Sequence, residues 1–195
     1  VTIGPAIDSG FYYDFDVEKP FTPEDFPAIE AEMKKIADEA QAFNRKIMSR
    51  ADAVKMFQEM NEPYKVELVN DLPEDVREVT IYTIGSFVDL CRGPHIPDTG
   101  FLKAFKLLSV AGAYWRGDEK NRMLSRIYAT AFAEPKDLDK YLKHLEEAKK
   151  RDHRKLGKEL DLFAFHAAVA PGMVFWPPKG LLIRPLLDDF LRQEP

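Results

Sequence analysis

The residues with the most chemistry to offer lie in one short run, Val88-Asp-Leu-Cys-Arg-Gly-Pro-His-Ile-Pro97. The single cysteine, Cys91, stands four positions ahead of His95, one of four histidines, with an Arg-Gly-Pro turn between them. A thiolate and an imidazole at that spacing can share a metal ion, but zinc takes three or four protein ligands. No second cysteine and no His-x3-His pair accompanies them. The two can also form a nucleophile and its base, since a nearby imidazole accepts the proton and favours the thiolate. A third reading is a small buried thiol beside a loop histidine satisfied by backbone. Asp89 adds to the group. It precedes Cys91 by two, so in an extended segment both side chains leave the same face, and Gly93-Pro94 turns His95 back toward them. Three polar groups then converge on one spot, unless Asp89 only caps the turn.

The elements that must position this run follow from periodicity and punctuation. Val1 to Ile7 and Phe11 to Asp16 read as extended segments joined by the Asp8-Ser9-Gly10 turn. Thr22-Pro23-Glu24-Asp25 supplies an N-cap, a proline at the first helical position and a carboxylate three past the cap. Phe26, Ile29, Met33, Ile36, Ala40 and Phe43 then recur at threes and fours, one buried face of a helix. A short helix over Asp52 to Met60 ends at Asn-Glu-Pro. Strand-like runs follow at Tyr64 to Val69, Glu78 to Ile84, Phe101 to Trp115 and Met123 to Phe132. The turn at Gly117 to Asn121 makes residues 101–132 an antiparallel hairpin, and Pro135 opens a long helix through Leu138, Leu142, Leu145 and Leu156. From Leu162 the chain becomes rich in Pro, Phe and Trp, which places a domain boundary near residues 157–162. The order of elements predicts an α+β fold built on antiparallel sheet.

Composition bounds the class of protein. With 195 residues, 45% of them hydrophobic and 31% charged, the chain can bury a core. One cysteine excludes an internal disulfide framework, and no segment approaches the ~18 apolar residues of a membrane span. A cytoplasmic protein with no membrane partner is the expectation. The formal charge of −5 argues against non-specific nucleic-acid binding, but charge is uneven. Residues 1–40 carry ten Asp/Glu against three Lys/Arg, whereas residues 143–158 carry seven Lys/Arg against three Asp/Glu. The basic run Lys149, Lys150, Arg151, Arg154, Lys155 is either a solvated helix face or a surface for phosphates. Trp115 and Arg116 on the aromatic hairpin are open to the same two readings.

Five runs together carry a family resemblance: Gly4-Pro-Ala-Ile-Asp-Ser-Gly-Phe-Tyr-Tyr-Asp-Phe15, Phe87 to His95, Phe105 to Asp118 with its Ala-Gly-Ala-Tyr-Trp-Arg-Gly-Asp, Arg151-Asp-His-Arg-Lys-Leu-Gly157, and Pro171-Gly-Met-Val-Phe-Trp176. In that order they resemble the threonyl-tRNA synthetases. Cys-Arg-Gly-Pro-His by itself is less specific, since alanyl-tRNA synthetases and their free-standing editing relatives share a similar Cys-x3-His. The resemblance implies an editing domain over residues 1–134, a linker helix over 135–160 and the start of a class II catalytic domain over 161–195. The family's editing pocket also has a His-x3-His pair, which this sequence lacks, so its beginning is expected to be a truncation and the isolated chain is expected to be inactive.

By motif match the resemblance places Asp89, Cys91 and His95 in the editing pocket, adds Lys65 of Tyr64-Lys-Val-Glu-Leu68, and adds Tyr13 of Phe11-Tyr-Tyr-Asp14. On composition alone Lys65 is a surface lysine and Tyr13 a core aromatic. The implied chemistry is hydrolysis of a seryl ester on tRNA(Thr), because a synthetic site that must tell threonine from serine by one methyl gains only ~1–3 kcal/mol. His95 is expected to move a proton or position water, Lys65 to stabilise charge on the ester oxygen, Asp89 to hold the serine ammonium, and Cys91 to line the pocket. No cofactor or metal is expected in this chain, with Cys91 and His95 metal ligands only beside an upstream histidine pair. ATP, Mg2+ and Zn2+ would serve a downstream catalytic domain, through which the whole enzyme would form a homodimer. Two other classes remain: a free-standing trans-editing hydrolase, and a non-catalytic RNA-binding or regulatory module.

Overall fold

The computed structural model describes residues 2, 4–166 and 168–193. Val1 and Ile3, part of the first expected extended segment, lie outside the described residues. The chain divides into two compact units, Val1–Leu138 and Asp139–Pro195, so the division falls inside the helix that opens at Pro135.

The first unit is α+β and contains two antiparallel sheets. β1 (Ala6–Ile7), β2 (Gly10–Phe15), β6 (Ala104–Tyr114) and β7 (Met123–Phe132) form a sheet in the order β1-β2-β7-β6. The expected hairpin is present as β6 and β7, paired from Ala104↔Phe132 to Tyr114↔Met123 with a bulge between Leu107 and Ser109. Helix α1 (Phe26–Asp38) packs on this sheet, burying Phe26 against Leu107, Ile127 and Ala129, with Ile29 and Met33 alongside. The expected start forms a 3-10 turn, Pro23–Asp25, that leads into α1: the Thr22 N–H donates to the Asp25 carboxylate at 2.8 Å, a capping-box arrangement. Glu30 accepts from the Leu107 N–H at 2.9 Å and from Lys106 at 2.8 Å, which occupies an edge-strand donor that would otherwise invite further pairing.

α1 is shorter than its apolar spacing suggests. The Thr99 hydroxyl donates to the Ile36 carbonyl at 2.6 Å, and Gln41 and Thr99 exchange two further bonds at 2.9 Å. These contacts take over the acceptors that another turn would need. Ala40 then adopts a left-handed backbone, φ 48°, and Phe43 sits beyond the helix.

The second sheet, in the order β3-β4-β5, joins β3 (Asn44–Ser49), β4 (Glu78–Ile84) and β5 (Phe87–Leu90). β3 escapes periodicity because it is an edge strand exposed at five of its six positions. Helices α2 (Arg50–Glu59) and α3 (Pro63–Asn70) cover the sheet, burying Ala53, Phe57 and Val69 against Val79 and Ile81. α3 corrects the strand expected from Tyr64 to Val69. The alternation Lys65-Val-Glu-Leu mimics period two, but Pro63 at the first helical position starts a turn, and the buried residues are Lys65 and Val69, four apart.

The second unit begins within α4 (Pro135–Lys150) and continues with α5 (His153–Glu159), the short pair β8 (Ala164–Phe165) and β9 (Val174–Phe175), and α6 (Pro178–Gln193). The long helix expected to reach Leu156 is therefore two helices. Asp152 breaks it by capping α5, its carboxylate accepting from the Arg154 N–H at 2.8 Å.

Candidate functional site

Lys65, Asp89 and Tyr13 meet although they arise from three elements. Lys65 projects from α3 and is only 3% exposed, so its ammonium requires a counter-charge. It forms an ion pair with Oδ1 of Asp89, whose side chain is 16% exposed. The Tyr13 hydroxyl, on β2 of the other sheet, donates to Oδ2 of the same carboxylate. Lys65 Nζ also stands 5.8 Å from the centre of the Tyr13 ring. Burial first, and the adjacent Asp89 charge second, push the Tyr13 phenol far above its ordinary pKa, so it remains a donor. Gly4 makes room for this tyrosine: a Cβ there would lie 2.1 Å from the ring.

The Cys91–His95 run closes one side of the same cavity. Cys91 extends the β4–β5 pairing, its N–H donating to the Thr80 carbonyl at 3.2 Å, and its sulfur accepts from the Gly93 N–H at 3.4 Å. Gly93, φ 70°, presses against Tyr82 so closely that a Cβ would lie 2.2 Å from the phenol oxygen. His95 lies flat on the Tyr82 ring at 4.1 Å and meets the edge of Phe43 at 5.2 Å. The Phe43 N–H donates to the Pro97 carbonyl at 3.0 Å, which ties the histidine loop to the end of the α1 connection.

Tyr13, Lys65, Asp89, Cys91 and His95 all line one cavity of about 660 Å3, within the ~300–1,000 Å3 range of pockets that enclose a small-molecule ligand. Apolar walls come from Leu68, Leu72 and Val79. Every pocket residue expected from the resemblance is thus in one place, and Lys65 is buried instead of a surface lysine. Among the described residues no group of three or more His, Cys, Asp or Glu side chains stands close enough to hold a metal ion.

Two residues that pack against His95 are not legible in the sequence as its neighbours. Tyr82 sits in an alternating strand and reads as core, and Phe43 reads as the end of a helix face. Of the two readings open for Trp115, the structure shows the core one: it is 6% exposed and turned inward, its indole N–H donating to Glu67.

The basic residues are split between two helices of the second unit. Lys149 and Lys150 end α4 and Arg151 follows it, while Arg154 and Lys155 lie on α5. Lys150 pairs with Glu146 and Glu147 at 3.2 Å, Arg151 with Glu147 at 3.6 Å, Arg154 with Asp152 at 2.6 Å and Lys155 with Glu159 at 3.9 Å. These are exposed local pairs, which phosphates can displace at little cost. No described helix is long and apolar enough to cross a membrane.

Residues 79–128, the stretch from β4 into β7, match the family described as the threonyl and alanyl tRNA synthetase second additional domain. The chain is also 68% identical over 194 residues to a threonine–tRNA ligase of Nitratidesulfovibrio vulgaris (strain DSM 19637 / Miyazaki F). It is 63% identical to that of Lawsonia intracellularis and 60% to that of Pelobacter propionicus. Each alignment covers 100% of this chain and 30% of the relative, so the chain spans about three tenths of their length.

Proposed function

The chain is related along its whole length to one segment of the threonine–tRNA ligases, and we propose that it serves such an enzyme by hydrolysing serine wrongly esterified to tRNA(Thr). The observation that carries this is the single cavity in which a buried Lys65–Asp89 pair, Tyr13 and His95 converge. Water attacks the ester carbonyl as His95 accepts its proton, and Lys65 stabilises the negative charge that develops on the carbonyl oxygen. The C–O bond to the ribose then breaks, the ribose oxygen takes up a proton, and serine and tRNA leave. Oδ1 of Asp89 is taken by Lys65 and by the Leu90 N–H at 2.7 Å, whereas Oδ2, bonded by Tyr13, keeps a second lone pair for the serine ammonium. Cys91, occupied by the Gly93 N–H, lines and orients the loop.

On this reading Lys149, Lys150, Arg151, Arg154 and Lys155 contact tRNA phosphates, residues 135–160 link two domains, and residues 161–195 begin a class II catalytic domain. That domain would attach threonine with ATP and Mg2+, hold Zn2+ and form a homodimer. The exposure of Leu182, Leu186 and Leu191 on α6 suits a helix that packs against further protein.

The test uses the full-length ligase carrying this segment. His95→Ala and Lys65→Ala should each let Ser-tRNA(Thr) accumulate while threonine attachment stays near normal. Loss of threonine attachment with Ser-tRNA clearance intact would remove the editing assignment.

A further inference from the structure

α3 is held from two sides. One side delivers Lys65 into the cavity. The other is gripped by the tip of the β6–β7 hairpin, which belongs to the opposite sheet. The Trp115 indole N–H donates to both oxygens of Glu67, at 3.1 and 3.2 Å. Arg116 pairs with Glu67 at 2.9 Å and also with Asp71. The Tyr64 ring meets the Trp115 ring at 4.9 Å, and its hydroxyl donates to Asp16 at 2.8 Å. Asp16 is in turn paired with Arg122 at 2.6 Å.

The tip is shaped for this grip. Arg116 occupies the left-handed region at φ 58°, a conformation uncommon for a side-chain-bearing residue. The Asn121 amide donates to the Trp115 carbonyl at 3.0 Å and closes the turn beneath it. Trp115 is 6% exposed, so its nitrogen is committed to Glu67 and its ring to Tyr64.

Tyr13 rides on the hairpin's sheet and Lys65 on α3, so the geometry of the Tyr13–Asp89–Lys65 cluster depends on how these two elements are set against each other. We infer that Trp115 and Arg116 are positioning residues, which act through Glu67 to hold Lys65 where the ester oxygen becomes charged. This rests on the assignment of Lys65 to ester hydrolysis. A displacement of ~1 Å at such a group can cost ~100-fold in rate, and loosening a clamp while leaving the helix in place should cost less.

Trp115→Phe keeps an aromatic ring against Tyr64 while deleting the N–H together with part of the indole. In the full-length ligase it should lower kcat for Ser-tRNA(Thr) hydrolysis about 10-fold with KM within about twofold, and leave threonine attachment unchanged. In a Lys65→Ala background the same substitution should add no further loss, because its effect runs through that lysine. An unchanged kcat, or an equal loss in both backgrounds, overturns the inference. A second readout does not depend on activity: reductive methylation followed by mass spectrometry should find Lys65 protected in the wild type and several-fold more reactive in Arg116→Ala, with Lys34 and Lys103 unchanged. Lys65 as protected in the variant as in the wild type also overturns it. If Lys65→Ala alone leaves hydrolysis intact while methylation shows the coupling, the hydrolytic role of Lys65 fails and the clamp stands.

Discussion

His95 lies flat on Tyr82, with ring centres 4.1 Å apart and planes inclined by 18°, and the edge of Phe43 meets it at 5.2 Å. Aromatic contacts of this kind contribute ~0.5–1.5 kcal/mol beyond burial, enough to select one ring orientation. Tyr82→Phe keeps the stack and should retain near wild-type hydrolysis of Ser-tRNA(Thr). Tyr82→Leu should lower kcat about tenfold, the two measured side by side by deacylation. Equal rates for Phe and Leu would show that the stack does not orient His95.

The Lys65–Asp89 pair makes a prediction about stability. Removing one member of a buried pair strands the other charge and costs ~3–5 kcal/mol, whereas replacing both with apolar residues is often neutral. Lys65→Met should therefore lower the urea midpoint markedly, and Lys65→Met with Asp89→Leu should recover most of it. The double variant should remain inactive in hydrolysis, which separates folding from chemistry.

Tyr64 and Tyr13 set an alkaline limit. Burial first, and the hydrogen bond to Asp16 second, push the Tyr64 phenol up to about 12, and Tyr13 is pushed in the same direction. Because the folded value lies above the unfolded value of ~10, the stability each contributes is complete below pH ~10 and is lost as pH rises through the folded pKa. Tyr64→Phe should cost about 1 kcal/mol at pH 8, and that cost should shrink between pH ~10 and about 12. Urea melts of the two proteins at pH 8, 10 and 11.5 read it directly, and a cost that grows with pH would contradict the assignment.

The basic residues make a prediction in salt. If Lys149, Lys150 and Arg151 contact phosphates, replacing all three with Gln should reduce the slope of log affinity for tRNA against log salt by up to about 3. A slope that does not change would leave them as a solvated helix end.

Much of this protein is written locally in its sequence. The start of α1 is legible because Thr22, Pro23 and Asp25 act within one turn. The β6–β7 hairpin is legible because both strands flank one turn, and a two-residue strand spacing with a Gly-Pro bend makes it legible that Asp89, Cys91 and His95 can face one cavity. Lys65 and Tyr13 were reached only through family resemblance, since neither stands near Asp89 in the chain. Tertiary structure decided the rest. Whether Tyr64 to Val69 became strand or helix was not settled by its alternation, which six residues can satisfy either way; Pro63 starts the turn and the surface that buries Lys65 and Val69 completes the choice. The end of α1 was set by Thr99, more than sixty residues from Ile36 along the chain. Lys65 is buried because Asp89 waits for it, and His95 is oriented because Tyr82 and Phe43 arrive from separate elements. Spacing reports only which side chains share a face of one element; the charge, ring or hydroxyl across the gap belongs to another element, and only folding brings it there.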